Sequence, residues 1–184
     1  MRKKVTLLGD SIRQIGYGIK VPELLKDEYE VFQPEENCRF SKYTLRGVIV
    51  EWAEGIAGSD IIHWNNGLWD TSDDGEGVFS SPEEYEGTMV RIAGILKKKA
   101  KTVIFATTTP VTDKNATQSN ERISAYNKLI VPKLVEMGIV INDLHSLVQP
   151  HIDEYIRKDD NIHLTEAGIE ACAARVAEII RKYS

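Results

Sequence analysis

Short apolar runs alternate along the chain with longer stretches of helical rhythm. The runs are Val5-Thr6-Leu7-Leu8, Tyr29-Glu30-Val31-Phe32, Asp60-Ile61-Ile62-His63-Trp64, Thr102-Val103-Ile104-Phe105-Ala106 and Ile139-Val140-Ile141. Segments this brief and this apolar predict strands buried on both faces. Between them Leu45, Val48, Ile49, Trp52 and Ile56 follow the i, i+3, i+4 spacing of one helix face. Ser81-Pro82-Glu83-Glu84 predicts a capping box with proline at the first helical position, and Tyr85, Met89, Ile92 and Leu96 form the apolar stripe behind it. Ser119 is placed to cap a helix carrying Ile123, Tyr126, Ile130 and Leu134, bent at Pro132 and ended by Gly138. Thr165 is placed to cap a last helix with Ile169, Ala173, Val176 and Ile180 facing inward.

Strands alternating with helices imply an α/β fold of βαβ units, with right-handed crossovers and a mostly parallel sheet covered on both faces. No repeat, linker or break in composition appears, so residues 1–184 are read as one domain. The longest stretch without a pattern, Asn65 to Ser80, has the length of a functional or mobile loop. In open parallel sheets the site lies beyond the carboxyl ends of the strands. That rule selects Gly9-Asp10-Ser11, the stretch after Phe32, Asn65-Asn66-Gly67, Thr107-Thr108-Thr109-Pro110 and Asn142-Asp143.

Composition narrows the class. With 42% hydrophobic and 28% charged residues, disorder and fibrous repeats are excluded. A net charge of −5, from 23 basic and 28 acidic side chains, argues against nucleic acid as a partner. The one basic cluster, Lys97-Lys98-Lys99 with Lys101, falls where a helix should end, which favours cations there. No apolar stretch reaches the length of a membrane span. Met1-Arg2-Lys3-Lys4 resembles the start of a signal peptide, but Val5 to Leu8 is too short for its apolar core, so a cytoplasmic location is expected. Cys38 and Cys172 are too few for a disulfide framework and are read as reduced thiols.

Ser11, directly after the first strand and beside Gly9, stands where a substrate would approach, although Gly-Asp-Ser would equally serve a helix cap. As a nucleophile it needs a base. His163 sits in Asp160-Asn161-Ile162-His163, where one turn of chain brings carboxylate and imidazole together. His145, with Asp143, is the rival. His63 reads as a packed strand residue and His151 as exposed.

These blocks resemble the SGNH hydrolases, the GDSL esterase family. Gly9-Asp10-Ser11-Ile12 matches the family's first block, and Asp160 to His163 matches the last in spacing and position. The resemblance covers nearly the whole chain. It implies a three-layer α/β/α sandwich with a flavodoxin-like, five-stranded parallel sheet, and ester hydrolysis by a triad of Ser11, His163 and Asp160 without metal or other cofactor. The middle blocks depart from the pattern. In Asn37-Cys38-Arg39-Phe40-Ser41-Lys42-Tyr43-Thr44 the oxyanion glycine is replaced by Lys42, whose backbone N–H remains available. In Asn65-Asn66-Gly67-Leu68-Trp69-Asp70 the side-chain donor is open between Asn65, Asn66 and Trp69, with Asn66 preferred. The expected oxyanion hole is thus Ser11, Lys42 and Asn66.

Phe40, Tyr43, Trp64 and Trp69 fall in or beside the site loops, and Trp69 is a candidate surface for a sugar ring. Arg13 is a candidate for meeting a substrate anion. Asp70, Asp73 and Asp74 read as a solvated acidic loop rather than a calcium site. The reading is a serine esterase for short, acetyl-sized acyl groups on a carbohydrate or similar polyol. Alternatives are a lysophospholipase, thioesterase or acyltransferase on the same triad, or a flavodoxin-like module that binds a ligand without catalysis.

Overall fold

The computed structural model describes residues 2–184, so Met1, at the head of the basic start, lies outside it. Strand β1 (Lys3–Leu8) leads into the short helices α1 (Ser11–Gln14) and α2 (Val21–Leu25), then β2 (Tyr29–Phe32). Helices α3 (Ser41–Ile49) and α4 (Ala53–Ile56) return the chain to β3 (Ile61–Trp64). Helix α5 (Pro82–Leu96) connects to β4 (Thr102–Ala106), and α6 (Asn120–Glu136) to β5 (Val140–Asn142). Helices α7 (Leu144–Val148), α8 (Ile152–Tyr155) and α9 (Glu166–Lys182) complete the chain.

Every pairing in the sheet is parallel, and the strand order is β2-β1-β3-β4-β5. The order reverses at β1, which places a crevice beyond the carboxyl ends of β1 and β3. The period of two along each strand divides the core. Val5, Leu7, Ile61, Ile104 and Ala106 face one apolar cluster. Leu8, Ile62, Trp64, Val103 and Phe105 face the other. The first layer is closed by α2, α7 and α9, the second by α3, α5 and α6. The result is the expected α/β/α sandwich.

Local chemistry explains the element ends. Ser81 and Glu84 form both hydrogen bonds of the capping box ahead of α5. Ser119 and Thr165 cap α6 and α9 through their hydroxyls. Helix α6 runs through Pro132 and ends before Gly138, whose φ of 75° suits glycine. The apolar face expected from Leu45 to Ile56 is split between α3 and α4. Trp52 folds its indole back over Gly47, where an added Cβ would stand 2.3 Å from the ring. Val48, Trp52 and Ile56 are buried, but Leu45 is only partly so and Ile49 is 50% exposed, so the pattern missed both the break in the helix and the exposure of one of its residues. The four- and five-residue helices escaped the pattern because they are too short to show a period. Among the described residues no helix is long and apolar enough to cross a membrane.

Candidate active site

The chain leaves β1 at Leu8 and turns at Gly9, where an added Cβ would stand 2.1 Å from the Asn65 side-chain oxygen. Asp10 then caps α1 by accepting from the Ile12 N–H at 2.9 Å. Burial pushes the Asp10 carboxyl up to about 6. Ser11 follows as the first residue of α1, with its hydroxyl at the edge of an open cavity.

From the far end of the chain, the segment before α9 brings its partner. Asn161 takes a left-handed conformation, φ 63°, which asparagine tolerates better than most side chains. Thr112 pins it there, donating its N–H to the Asn161 carbonyl and its hydroxyl to Oδ1. The resulting turn lets Asp160 Oδ1 accept from the N–H groups of Ile162 and His163, each at 3.0 Å. Asp160 Oδ2 lies 3.0 Å from His163 Nδ1, and His163 Nε2 lies 2.8 Å from Ser11 Oγ. Partial burial pushes the Asp160 carboxyl up, but the N–H groups of His163 and Ile162 and the imidazole outweigh it and hold the carboxyl below its ordinary value. An ionised carboxylate on Nδ1–H leaves Nε2 free to accept the serine proton.

The cavity beside Ser11 and His163 has a volume of roughly 410 Å³ and opens to solvent. Ile15, Leu68, Trp69, Phe79 and Ile162 supply apolar wall. Gln14, Asn37, Ser72, Thr117 and Gln118 supply polar wall, and Asp74 is the one carboxylate on it. Trp69 therefore lies where a substrate-binding residue would. Asn37 was inside the stretch read for the oxyanion, but only the fold shows it facing this cavity. Its Oδ1 accepts from the Arg39 N–H at 2.7 Å, which leaves Nδ2 to donate.

Other expected site residues are placed differently. Arg13, expected to face a substrate anion, is 1% exposed and does not line the cavity. Its guanidinium donates to the carbonyls of Pro34 at 2.7 Å, Glu36 at 2.6 Å and Gly9 at 3.2 Å, clamping the segment after β2 against the turn that carries Ser11. Asn66 is fully buried: its Nδ2 donates to the Arg39 carbonyl and its Oδ1 accepts from the Trp64 indole. Asn65 accepts from the Tyr17 hydroxyl beneath Gly9. Lys42, expected to offer its backbone N–H, is the second residue of α3, its ammonium reaches Glu84 at 2.7 Å, and neither Lys42 nor Asn66 lines the cavity. Trp64 is core, packed on Phe105.

The rival histidines lie elsewhere. His145 and Asp143 line a separate cavity near α6. His151 is exposed beside Glu154. His63 is buried in β3, with Nε2 accepting from the Asn142 amide at 3.1 Å and Nδ1 without a partner; burial lowers it to about 3. Asp70, expected in a solvated loop, is wholly buried and accepts from Ser41 and Ser80. Both cysteines are free and buried. Among the described residues no three His, Cys, Asp or Glu side chains gather as a metal site.

No protein-family model and no curated protein matches the chain. Solved structures do. A lipase/acylhydrolase from Enterococcus faecalis superposes with a TM-score of 0.84 over 99% of this chain and 96% of its own, at 19% identity. An acetyl xylan esterase superposes with a TM-score of 0.76 over 96% of this chain and 99% of its own, at 20% identity. A catalytic mutant of an acetylxylan esterase from Geobacillus stearothermophilus gives 0.78 over 99% and 94%, at 14% identity. At such identities the likeness establishes the fold, which is that of these hydrolases along nearly the whole chain.

Proposed function

We propose that this chain is a serine esterase of the SGNH hydrolase kind, acting on short acyl esters, acetyl above all, carried by a carbohydrate or similar polyol. The observation that carries the reading is the unbroken relay from Asp160 through His163 to Ser11, beside a cavity open to solvent. The fold neighbours, two of them esterases of acetylated xylan, support the substrate class.

Ser11 Oγ adds to the ester carbonyl carbon while its proton passes to His163 Nε2. Asp160 holds the imidazole by Nδ1–H and stabilises its charged form. The developing oxyanion is met by the Ser11 N–H, an unpaired donor at the start of α1. Asn37 Nδ2 is the side-chain donor on the cavity wall, in place of Asn66, whose amide is spent on Arg39. Collapse breaks the bond to the alcohol oxygen, which leaves with the proton from His163. Water then adds to the acyl-enzyme, giving its proton to His163, and the second collapse returns a proton to Ser11 and frees the acid.

The test is acetate release from p-nitrophenyl acetate near pH 8 by wild type and Ser11→Ala, followed by acetylated xylo-oligosaccharides. Turnover that requires Ser11 supports the reading. Equal rates in the two proteins overturn it.

A further inference from the structure

The cavity beside Ser11 has a lopsided charge. Apart from His163, the one ionisable side chain on its wall is Asp74, and no lysine or arginine lines it. The cations around it are engaged elsewhere. Arg157 pairs with Asp159 and, at 3.5 Å, with Asp160 behind the imidazole. Arg39 lies over the Tyr43 ring at 4.9 Å. Arg122, on an adjoining cavity that Asp74 also borders, donates to the carbonyls of Thr71 and Thr117, each at 2.7 Å. Arg13, the group expected to receive an anion, is sealed beneath the site.

Asp74 is also held in a defined place. The loop carrying it closes as a small hairpin, with an antiparallel bridge between Asp73 and Val78 and the Phe79 N–H donated to the Ser72 carbonyl. Asp73 consumes its carboxylate inside that turn, accepting from the N–H groups of Gly75 at 2.8 Å and Gly77 at 3.1 Å. Both glycines have φ near 100°, a conformation that glycine alone adopts easily. The neighbouring Asp74 is exposed, makes no hydrogen bond through its side chain, and borders the cavity together with Ser72 and Phe79 from the same hairpin. One aspartate thus shapes the turn and the next presents charge to whatever enters.

Resting on the esterase reading above, we propose that Asp74 makes this cavity select esters whose alcohol part is neutral or cationic and turn away those whose alcohol part is anionic. Phosphate-bearing alcohols and thiols, as in lysophospholipids or nucleotide-linked thioesters, then meet a carboxylate with no cation to receive them. An uncharged sugar finds instead the rings of Trp69 and Phe79 and the hydroxyl of Ser72 on the same cavity wall. Because Asp74 is exposed, its field is screened by water and salt, so selectivity of a few-fold to about tenfold is expected at low ionic strength.

The test uses three phenyl acetates with a neutral, a carboxylate or a trimethylammonium group in the para position. The readout is the ratio of kcat/KM for the cationic ester to that for the anionic one, in wild type, Asp74→Asn and Asp74→Lys. Comparing the ratio between proteins cancels the intrinsic reactivity of each ester. The expected result is a ratio that falls about fivefold in Asp74→Asn and further in Asp74→Lys, with both differences shrinking in salt of about 0.5 M, where screening sets in within roughly four ångströms. A ratio unmoved by either substitution, with turnover still dependent on Ser11, overturns this inference alone. Failure of all three esters to show Ser11-dependent turnover overturns the esterase reading and this inference with it.

Discussion

Asp70 and Ser41 are joined by three hydrogen bonds across 29 positions of sequence. The Ser41 N–H reaches both carboxylate oxygens, at 3.1 and 3.0 Å, and its hydroxyl reaches Oδ1 at 2.6 Å. Asp70 therefore caps α3 from another loop, and the Ser80 hydroxyl adds a further donor at 2.7 Å. The bond ties the Leu68–Trp69 wall of the cavity to the segment that carries Asn37. Asp70→Ala is expected to lower stability by about 3 kcal/mol, since it strands buried donors. Asp70→Asn should cost less but still measurably, because Oδ1 keeps the two serine hydroxyls while the NH₂ faces the Ser41 N–H, donor against donor. Urea midpoints of the two variants check this; near-wild-type stability in Asp70→Asn would contradict it.

The proposed relay makes a graded prediction. Ser11→Ala and His163→Ala should each lower kcat on p-nitrophenyl acetate by about a thousandfold or more, with circular dichroism unchanged. Asp160→Ala should lose less, since it orients rather than reacts. His145→Ala should retain activity, because its cavity is separate from that of Ser11.

Asn37 and Asn66 should separate by assay. Asn37→Ala is expected to lower kcat by about tenfold or more with KM little changed, as for an oxyanion donor. Asn37→Asp should be worse still, since a carboxylate repels the oxyanion. Asn66→Ala, removing the strut between Arg39 and Trp64, should lower the urea midpoint instead, by about 2 kcal/mol of stability. Reversal of these two phenotypes would return the donor role to Asn66.

Two buried groups pull stability in opposite directions with pH. Asp10 has a folded value of about 6 against an ordinary 3.8, so the folded state keeps a proton that the unfolded chain releases. Its contribution is full below 3.8 and is lost as pH rises to about 6, about 3 kcal/mol in all for a shift of about two units. His63 is the reverse. Held near 3 against an ordinary 6.5, it stabilises the fold above 6.5 and forfeits that contribution as pH falls. Asp10→Asn should gain stability relative to wild type between pH 4 and 6, and His63→Gln should blunt the acid loss. Parallel urea curves for all three proteins across pH 4 to 7 would contradict both assignments.

Much of this was legible in the chain because it is written locally. The strand runs, the capping box at Ser81 and the Asp160–His163 turn depend on neighbours within a few residues. What escaped depends on where distant segments cross. Nothing near Arg13 in sequence announces that Pro34 and Glu36 will offer carbonyls to it, so a buried clamp read as a partner for a substrate anion. Asn66 and Asn37 are chemically alike, and only the tertiary path of Arg39 decides which amide is spent. Asp70 resembled its neighbours Asp73 and Asp74 until α3 was brought against it.

The strand carrying the nucleophile turn is near the start of the chain, and the imidazole precedes α9, the last helix. During synthesis, a nascent polypeptide complete through β5 would already display Ser11, the Arg13 clamp and most of the cavity wall, with no base to activate the hydroxyl. The serine and the imidazole meet only when α9 docks on α2 and α7 and carries the preceding turn into place. Such long loop closures are slow steps in folding. On the proposed esterase reading, the order of manufacture would keep the half-made protein from acting on esters before α9 has settled.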